Sequence, residues 1–192
     1  MIFAIDGKFS NFPSDSDLST DGSRELVKSY SQSILIDFPG SEVEKRSKYL
    51  EQSAQHSMDV LLIIDSDEFV LEDADWDAFR DNLNKVIFDR DKCKHNVYAI
   101  NLQTVGKSDD YIVYPRIWHN PGEMEYYGNR HYYFRSKNLE KTNVAHIGDH
   151  SLNIIQGIKL GHDHKLRSKE HMESRLVYQT WLERYENSLP PQ

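Results

Sequence analysis

The chain carries a single cysteine, Cys93, among its 192 residues. One thiol cannot close an internal disulfide, and no Cys pair exists for a thiolate zinc site. A reducing, cytoplasmic setting is the simplest expectation. Long hydrophobic runs are also missing. The longest, Val60-Leu61-Leu62-Ile63-Ile64, is far short of the roughly 20 apolar residues that span a bilayer. The opening MIFAIDGKF lacks the basic and apolar regions of a secretory signal. No segment is low-complexity and no repeat of solenoid period is present. An excess of positive charge is absent as well: 23 Lys+Arg stand against 31 Asp+Glu, a formal charge of −8. Such a chain is not built to neutralise many phosphates at once, so nucleic acid is not an expected partner.

What is there is the composition of an ordinary globular protein, 38% hydrophobic and 11% aromatic. The length allows one domain, 1–192, with a sizeable core. Ile2-Phe3-Ala4-Ile5 reads as a strand running into Asp6-Gly7, followed by a polar loop from Ser10 to Asp21. Ser19-Thr20-Asp21-Gly22 opens a helix through Tyr30, with Ser or Thr as its cap and Glu25 in its first turn. Ile34-Leu35-Ile36-Asp37 is a second strand, and Glu42 to Gln55 a helix with Val43, Tyr49, Leu50 and Ala54 facing a core. The run from Val60 to Ile64, bounded by Asp59 and Asp65, has the pattern of a parallel strand buried on both faces.

A helix from Ala74 to Phe88 follows, with Trp76, Phe79, Leu83, Val86 and Ile87 near a 3.6-residue period. Strands are expected at Val97–Leu102 and Tyr111–Tyr114. The stretch from Trp118 to Phe134 is aromatic, His-rich and irregular. Ile154 to Leu160 is short and apolar, and Ser168 to Tyr185 reads as a helix. Strand-helix alternation followed by antiparallel strands predicts an α/β sandwich with a mixed central sheet.

Asp65-Ser66-Asp67-Glu68 ends the most apolar strand. Three carboxylates packed this closely repel one another, and each gains from solvent or a cation. Ligands of open α/β sheets bind at the carboxyl ends of strands. If the extended conformation persists, Asp65 and Asp67 point to the same side. A hard divalent cation, Mg²⁺ or Mn²⁺, suits such oxygen ligands and bridges naturally to a diphosphate. The residues alone leave a plainer alternative open, in which Asp67 or Glu68 caps the next helix. The chain has other D-x-D pairs, Asp15-Ser16-Asp17 and Asp73-Ala74-Asp75, but neither follows a buried apolar strand.

Several motifs recur in a familiar order. Lys45-Arg46-Ser47-Lys48-Tyr49-Leu50 precedes Asp59-Val60-Leu61-Leu62-Ile63-Ile64-Asp65-Ser66-Asp67-Glu68. Upstream stand Ile5-Asp6-Gly7 and Ser19-Thr20-Asp21-Gly22. Downstream come Pro115-Arg116-Ile117-Trp118, Glu125-Tyr126-Tyr127-Gly128 with His131, and Leu160-Gly161-His162-Asp163-His164 with Arg167-Ser168. In this order the chain resembles the family-2 glycosyltransferases of the GT-A fold. The resemblance implies a GT-A-like α/β/α sandwich that lacks the usual first strand. It also implies a nucleotide- and metal-binding half over 1–103, and an acceptor-side half with a C-terminal helix over 104–192.

The implied activity is metal-dependent, inverting transfer of a sugar from a nucleotide-sugar donor to a glycan or other hydroxyl acceptor. Asp6 would accept a hydrogen bond from the base, and Arg46 would lie near the base or diphosphate. Asp65 would contact ribose or metal, Asp67 would ligate the metal, and His162, or else His164, would complete the sphere. Inversion requires a carboxylate to take the acceptor's proton. Glu125 is the candidate, with Glu123 and Asp149 behind it. Trp118, Tyr126, Tyr127, Tyr132, Tyr133 and Phe134 either stack on sugars or fill the core.

Each assignment has a plain counterpart: Asp6 as a turn residue before Gly7, Arg46 as part of a solvated Lys45/Arg46/Lys48 face. Two other functions use the same residues. One is a metal-dependent phosphoesterase or nucleotidyltransferase, which needs two metals. The other is a non-catalytic domain that binds a nucleotide or glycan.

Overall fold

The computed structural model describes residues 1–8, 16–65, 67–88, 96–105, 111–127, 133–137, 145–146 and 152–163, with 173, 176, 177, 180 and 184. Along the chain these form β1 (Ile2–Asp6), α1 (Ser23–Ser29), β2 (Ser33–Asp37), α2 (Glu42–Gln55), β3 (Val60–Leu62), β4 (Glu68–Val70), α3 (Trp76–Phe88), β5 (Val97–Thr104), β6 (Tyr111–His119), β7 (Met124–Tyr127), β8 (Tyr133–Ser136), β9 (Ala145–His146) and β10 (Ile154–His162). The protein is thus a mixed α/β structure. The chain divides into two compact units, Met1–Leu61 with His119–Ile147 and Leu62–Trp118 with Gly148–Gln192. Each unit draws on both halves of the sequence.

In the first unit β1 and β2 pair in parallel, with Asp6 beside Asp37 at their carboxyl ends. They form a two-stranded sheet of their own, so the single central sheet expected from the sequence is divided. The helix between them begins later than its cap signals suggest. Gly22, in the left-handed region at φ 87°, is the N-cap and no side chain caps the helix. The Asp21 carboxylate instead accepts from the Ser23 N–H at 3.0 Å, closing a turn before the helix can start.

Helix α2 runs over the residues its periodicity predicts. Ser41 caps it with a reciprocal box: Ser41 Oγ accepts the Glu44 N–H, and the Glu44 carboxylate accepts the Ser41 N–H at 2.6 Å. Leu50 and Ser53 are its buried residues, while Ala54, expected to face the core, is exposed, although a Cβ added at Gly122 would lie 2.9 Å from the Ala54 Cβ. Strands β7, β8 and β9 make an antiparallel three-stranded sheet. The irregular aromatic stretch therefore contains the end of β6 and the hairpin strands β7 and β8.

The larger sheet is curled, mixed and five-stranded, in the order β3-β6-β5-β10-β4, and β5, β10 and β4 lie wholly in the second unit. β5 runs parallel to β10 and antiparallel to β6, and β10 is antiparallel to β4. β5 is buried on both faces, with Val97 to Ile100 at most 1% exposed, and so is β6 from Pro115 to His119. The Val60–Ile64 run does not hold that place. β3 is an edge strand of three residues, Leu61 and Ile63 are buried, and Ile64 is 43% exposed. An edge strand has a neighbour on one side only, and the chain turns away at Asp65.

Helix α3 lies on β10. Asp75 caps it by accepting the Ala78 N–H at 2.9 Å. Gly157 permits the approach: its φ is 102°, and a Cβ there would fall 2.3 Å from the Phe79 backbone nitrogen. Phe79 is buried from α3, whereas Trp76 is exposed. The side chains of Val86 and Ile87 lie outside the described residues. So does most of the expected C-terminal helix, although Glu173, Leu176, Val177, Thr180 and Arg184 are helical. Among the described residues no helix is long and apolar enough to cross a membrane.

Candidate functional site: an acidic turn and a paired histidine

The acidic segment follows β3 and leads into β4. The Ile63 N–H donates to the Arg116 carbonyl at 2.9 Å, which sets the guanidinium of β6 beside the turn. The Glu68 N–H then donates to the Asp65 carbonyl at 2.9 Å, and the Glu68 Oε2 accepts the Asp65 N–H at 3.0 Å. This three-residue closure breaks the extended conformation. Asp65 and Asp67 consequently do not act as alternate residues of one strand.

Asp65 and Glu68 share Arg116. Its Nη2 donates to Asp65 Oδ2 at 2.9 Å and also to Glu68 Oε1. The Arg116 and Glu68 side chains are 5% and 3% exposed, and Asp65 is one-third exposed. The guanidinium also stacks over Tyr114, 4.6 Å from the ring centroid. Its Nε is buried with no hydrogen-bond partner among the described residues.

Asp67 turns the other way. Its carboxylate is buried, and Oδ2 meets His162 Nε2. The two are brought together because β10 pairs antiparallel with β4, setting His162 opposite Glu68. The Asp163 N–H donates to the Asp67 carbonyl at 3.2 Å and fastens the same end. A carboxylate oxygen and an imidazole nitrogen in contact are a reasonable part of a Mn²⁺ or Mg²⁺ donor set. Asp65 fits that set poorly, because a permanent cation already holds it. Among the described residues no group of three or more His, Cys, Asp or Glu is placed to hold a metal.

In the first unit, Asp6 is saturated by its own chain. It accepts the Gly7 N–H at 2.8 Å, the Ser19 hydroxyl at 2.7 Å, the Ser19 N–H at 3.1 Å and Arg24 Nη1 at 2.6 Å. Arg24 also forks onto Asp37, at 2.7 and 3.2 Å. Burial works against charge on Asp6, but the Arg24, Ser19 and Gly7 hydrogen bonds together hold its carboxyl below the usual range. Arg24 does the same for Asp37, and both carboxylates push the guanidinium upward. Lys45, half-buried, donates to the Gly7 carbonyl, and desolvation lowers its ammonium pKa. Arg46 is partly buried on α2.

The sequence reading gives Arg24 and Asp37 no site role, and Lys45 only a place in a motif and on a solvated face, whereas it is half-buried. Their one signal is the repeat of an apolar strand ending in Ile-Asp, at Ile5-Asp6 and Ile36-Asp37. Two such ends side by side need a cation between them.

Glu125 lies on β7 directly opposite Arg135 of β8, and Arg135 Nε donates to its Oε1 at 2.6 Å. Glu123 is exposed in the turn before β7. Trp118 and Phe134 are core residues, and Tyr133 is exposed. His131, Tyr132, Asp149 and His164 lie outside the described residues. Comparison with protein-family models, curated proteins and solved structures returns no match.

Proposed function

We propose that this protein is a metal-dependent glycosyltransferase, moving a sugar from a nucleotide-sugar donor to a hydroxyl acceptor with inversion. The GT-A-like α/β/α arrangement and a cytoplasmic setting belong to the same proposal. The observation that carries it is the meeting of Asp67 with His162. The motif order paired these two residues as ligands across the length of the chain, and an antiparallel strand pair brings them into contact.

Under this reading Asp67 and His162 hold a divalent cation at the carboxyl end of the β3 segment. When bound, that cation neutralises charge that develops on a diphosphate leaving group. Asp67 is suited to the task by burial, since a buried carboxylate gains most from a cation partner. Its backbone is fixed by the bond from Asp163 and by the turn that Glu68 closes. Glu125 remains the candidate to take the acceptor's proton. The Arg135 bond to its Oε1 fixes the orientation of its carboxylate.

One observation favours a second reading, a domain that binds a nucleotide or glycan without turnover. Asp65, the first acid of the motif, is engaged by Arg116. Calorimetric titration with UDP and GDP, with and without Mn²⁺, separates the readings. Binding that requires Mn²⁺ and disappears in Asp67→Ala supports a donor site. Turnover of a bound nucleotide-sugar then distinguishes transferase from binding domain. Absence of nucleotide binding overturns the transferase and leaves of the second reading only a glycan-binding domain, and phosphoester hydrolysis without a sugar donor would point to a two-metal phosphoesterase.

A further inference from the structure

The five-stranded sheet carries a second surface, away from the acidic turn. Residues directly opposite one another on paired strands share a face of the sheet. Phe69 of β4 lies opposite Gly161 of β10, Gly161 opposite Gln103 of β5, and Gln103 opposite Tyr111 of β6. These four make one row across the sheet, and the next row on the same face holds Lys159 and Asn101. All of them lie in the second unit. Glu68 and His162 alternate with Phe69 and Gly161 along the same two strands, so they belong to the opposite face.

Aromatic area, an unused amide and balanced charge meet on this face. Phe69 and Tyr111, at the two ends of the row, are 40% and 44% exposed. Three strand spacings separate them, roughly 14 Å along the sheet. Gly161 lets the Phe69 ring sit on the β10 backbone, since a Cβ there would fall 2.7 Å from Phe69 Cζ. Between the rings, Asn101 is half-buried, and its side chain makes no hydrogen bond among the described residues. An amide has two donors and an acceptor, and at a half-buried position it ordinarily uses them. Lys159 Nζ donates to Asp73 Oδ2 at 2.8 Å and lies 5.6 Å from the centroid of the Tyr111 ring. Both members of this ion pair are partly exposed.

We propose that this face is a saccharide-binding surface, taking a neutral oligosaccharide laid across β4, β10, β5 and β6. The C–H face of a sugar ring is weakly positive and packs on the negative face of an aromatic ring. Each sugar hydroxyl is both donor and acceptor, which matches the Asn101 amide and the Asp73–Lys159 pair. Charge decides against nucleic acid. Bases also stack on sheet aromatics, but their phosphates need unpaired cations alongside. Lys159 is the only charged residue among the six of these two rows, and Asp73 neutralises it. The surface uses neither Asp67, His162 nor Glu125, so it stands apart from the transferase reading.

The test is calorimetric titration of the whole chain, in EDTA, with millimolar cellotetraose, maltotetraose, chitotetraose and mannotetraose, and with U-rich RNA. At least one tetrasaccharide is expected to bind. Tyr111→Ala is expected to weaken that binding by about tenfold or more, the usual cost of truncating an aromatic anchor. Asn101→Ala, which touches neither ring, is expected to weaken it about threefold to tenfold, the worth of one hydrogen bond. Asp67→Asn is expected to leave it within about twofold of the parent. Each variant is compared at matched circular dichroism, and Tyr111→Leu replaces Tyr111→Ala if the latter does not fold.

The proposal is overturned if no tetrasaccharide binds, or if binding survives both the Tyr111 and the Asn101 substitutions. Binding lost in Asp67→Asn but kept in the Tyr111 variant places the sugar at the acidic turn, which overturns this surface and favours the transferase reading. RNA binding without saccharide binding overturns it in favour of a base-stacking face. Because EDTA removes divalent cations, failure of the metal site leaves these outcomes unchanged.

Discussion

Asp67 Oδ2 meets His162 Nε2 across a separation of 95 residues, at the point where β10 runs antiparallel to β4. Residues in contact do not act additively. In a double-mutant cycle of Asp67→Asn and His162→Gln, read by Mn²⁺-dependent UDP binding, the coupling is expected to be about 1 kcal/mol or more. Strictly additive losses would show that the two residues do not share a ligand.

Arg116→Ala leaves Glu68 buried without its partner. Breaking a buried ion pair from one side costs about 3–5 kcal/mol, so urea unfolding is expected to show a loss of that size. Arg116→Gln/Glu68→Gln is expected to recover most of it, because no uncompensated charge remains. If the double variant is no more stable than the single one, the lost stability does not come from stranded charge.

The Asp6–Arg24–Asp37 cluster makes stability depend on acid. Both carboxyls have folded pKa values below their ordinary ones. The stabilisation is therefore present above about pH 4, the unfolded value, and is lost as pH falls through the lower folded values. Arg24→Gln is expected to flatten the acid limb of a melting-temperature profile between about pH 4 and pH 2. An unchanged limb would place the acid sensitivity elsewhere.

Gly157→Ala is expected to destabilise the second unit by about 2 kcal/mol or more, the range of strained backbone combined with overpacking. The backbone conformation at φ 102° disfavours a side chain, and the new Cβ would meet the first turn of α3. Thermal unfolding measures it. A melting temperature equal to the parent's would mean that α3 moves freely off β10.

Glu125→Gln separates chemistry from structure. Its pair with Arg135 is cross-strand and partly exposed, and such pairs are worth about 0.2–1 kcal/mol. Stability and nucleotide affinity are expected to stay near the parent's. Loss of a general base lowers kcat by about 10²–10⁴-fold, which is the expected effect once a donor and acceptor are in hand. Full turnover in the variant would remove Glu125 as the base.

Local patterns were legible where a short segment settles its own structure. Glu42 to Gln55 forms a helix because an amphipathic repeat follows a Ser41 cap, and both act within a few residues. The strands at Ile2, Ile34 and Val97 are legible for a similar reason. Gly22 is where local signals conflicted: two candidate side-chain caps, Ser19 and Thr20, precede it, and the turn closed by the Asp21 carboxylate on the Ser23 N–H decides instead.

What the sequence determined alone is the helices and the longer strands but not β4, β7, β8 or β9, the acidic segment after an apolar run, and, through the family resemblance, Asp67 and His162 as candidate partners. Only the tertiary structure decided which apolar run is central. Val60–Ile64 is the more apolar run, and Val97–Leu102 carries Tyr98 and Asn101, yet β3 lies at the sheet edge and β5 in its middle. Strand order is a property of long-range pairing, which no local pattern encodes. The same holds for charge. Arg116 lies 51 residues from Asp65, and Arg24 lies 13 residues from Asp37. A carboxylate's role depends on which cation the fold brings within hydrogen-bonding distance, and that distance exists only once the sheets have formed.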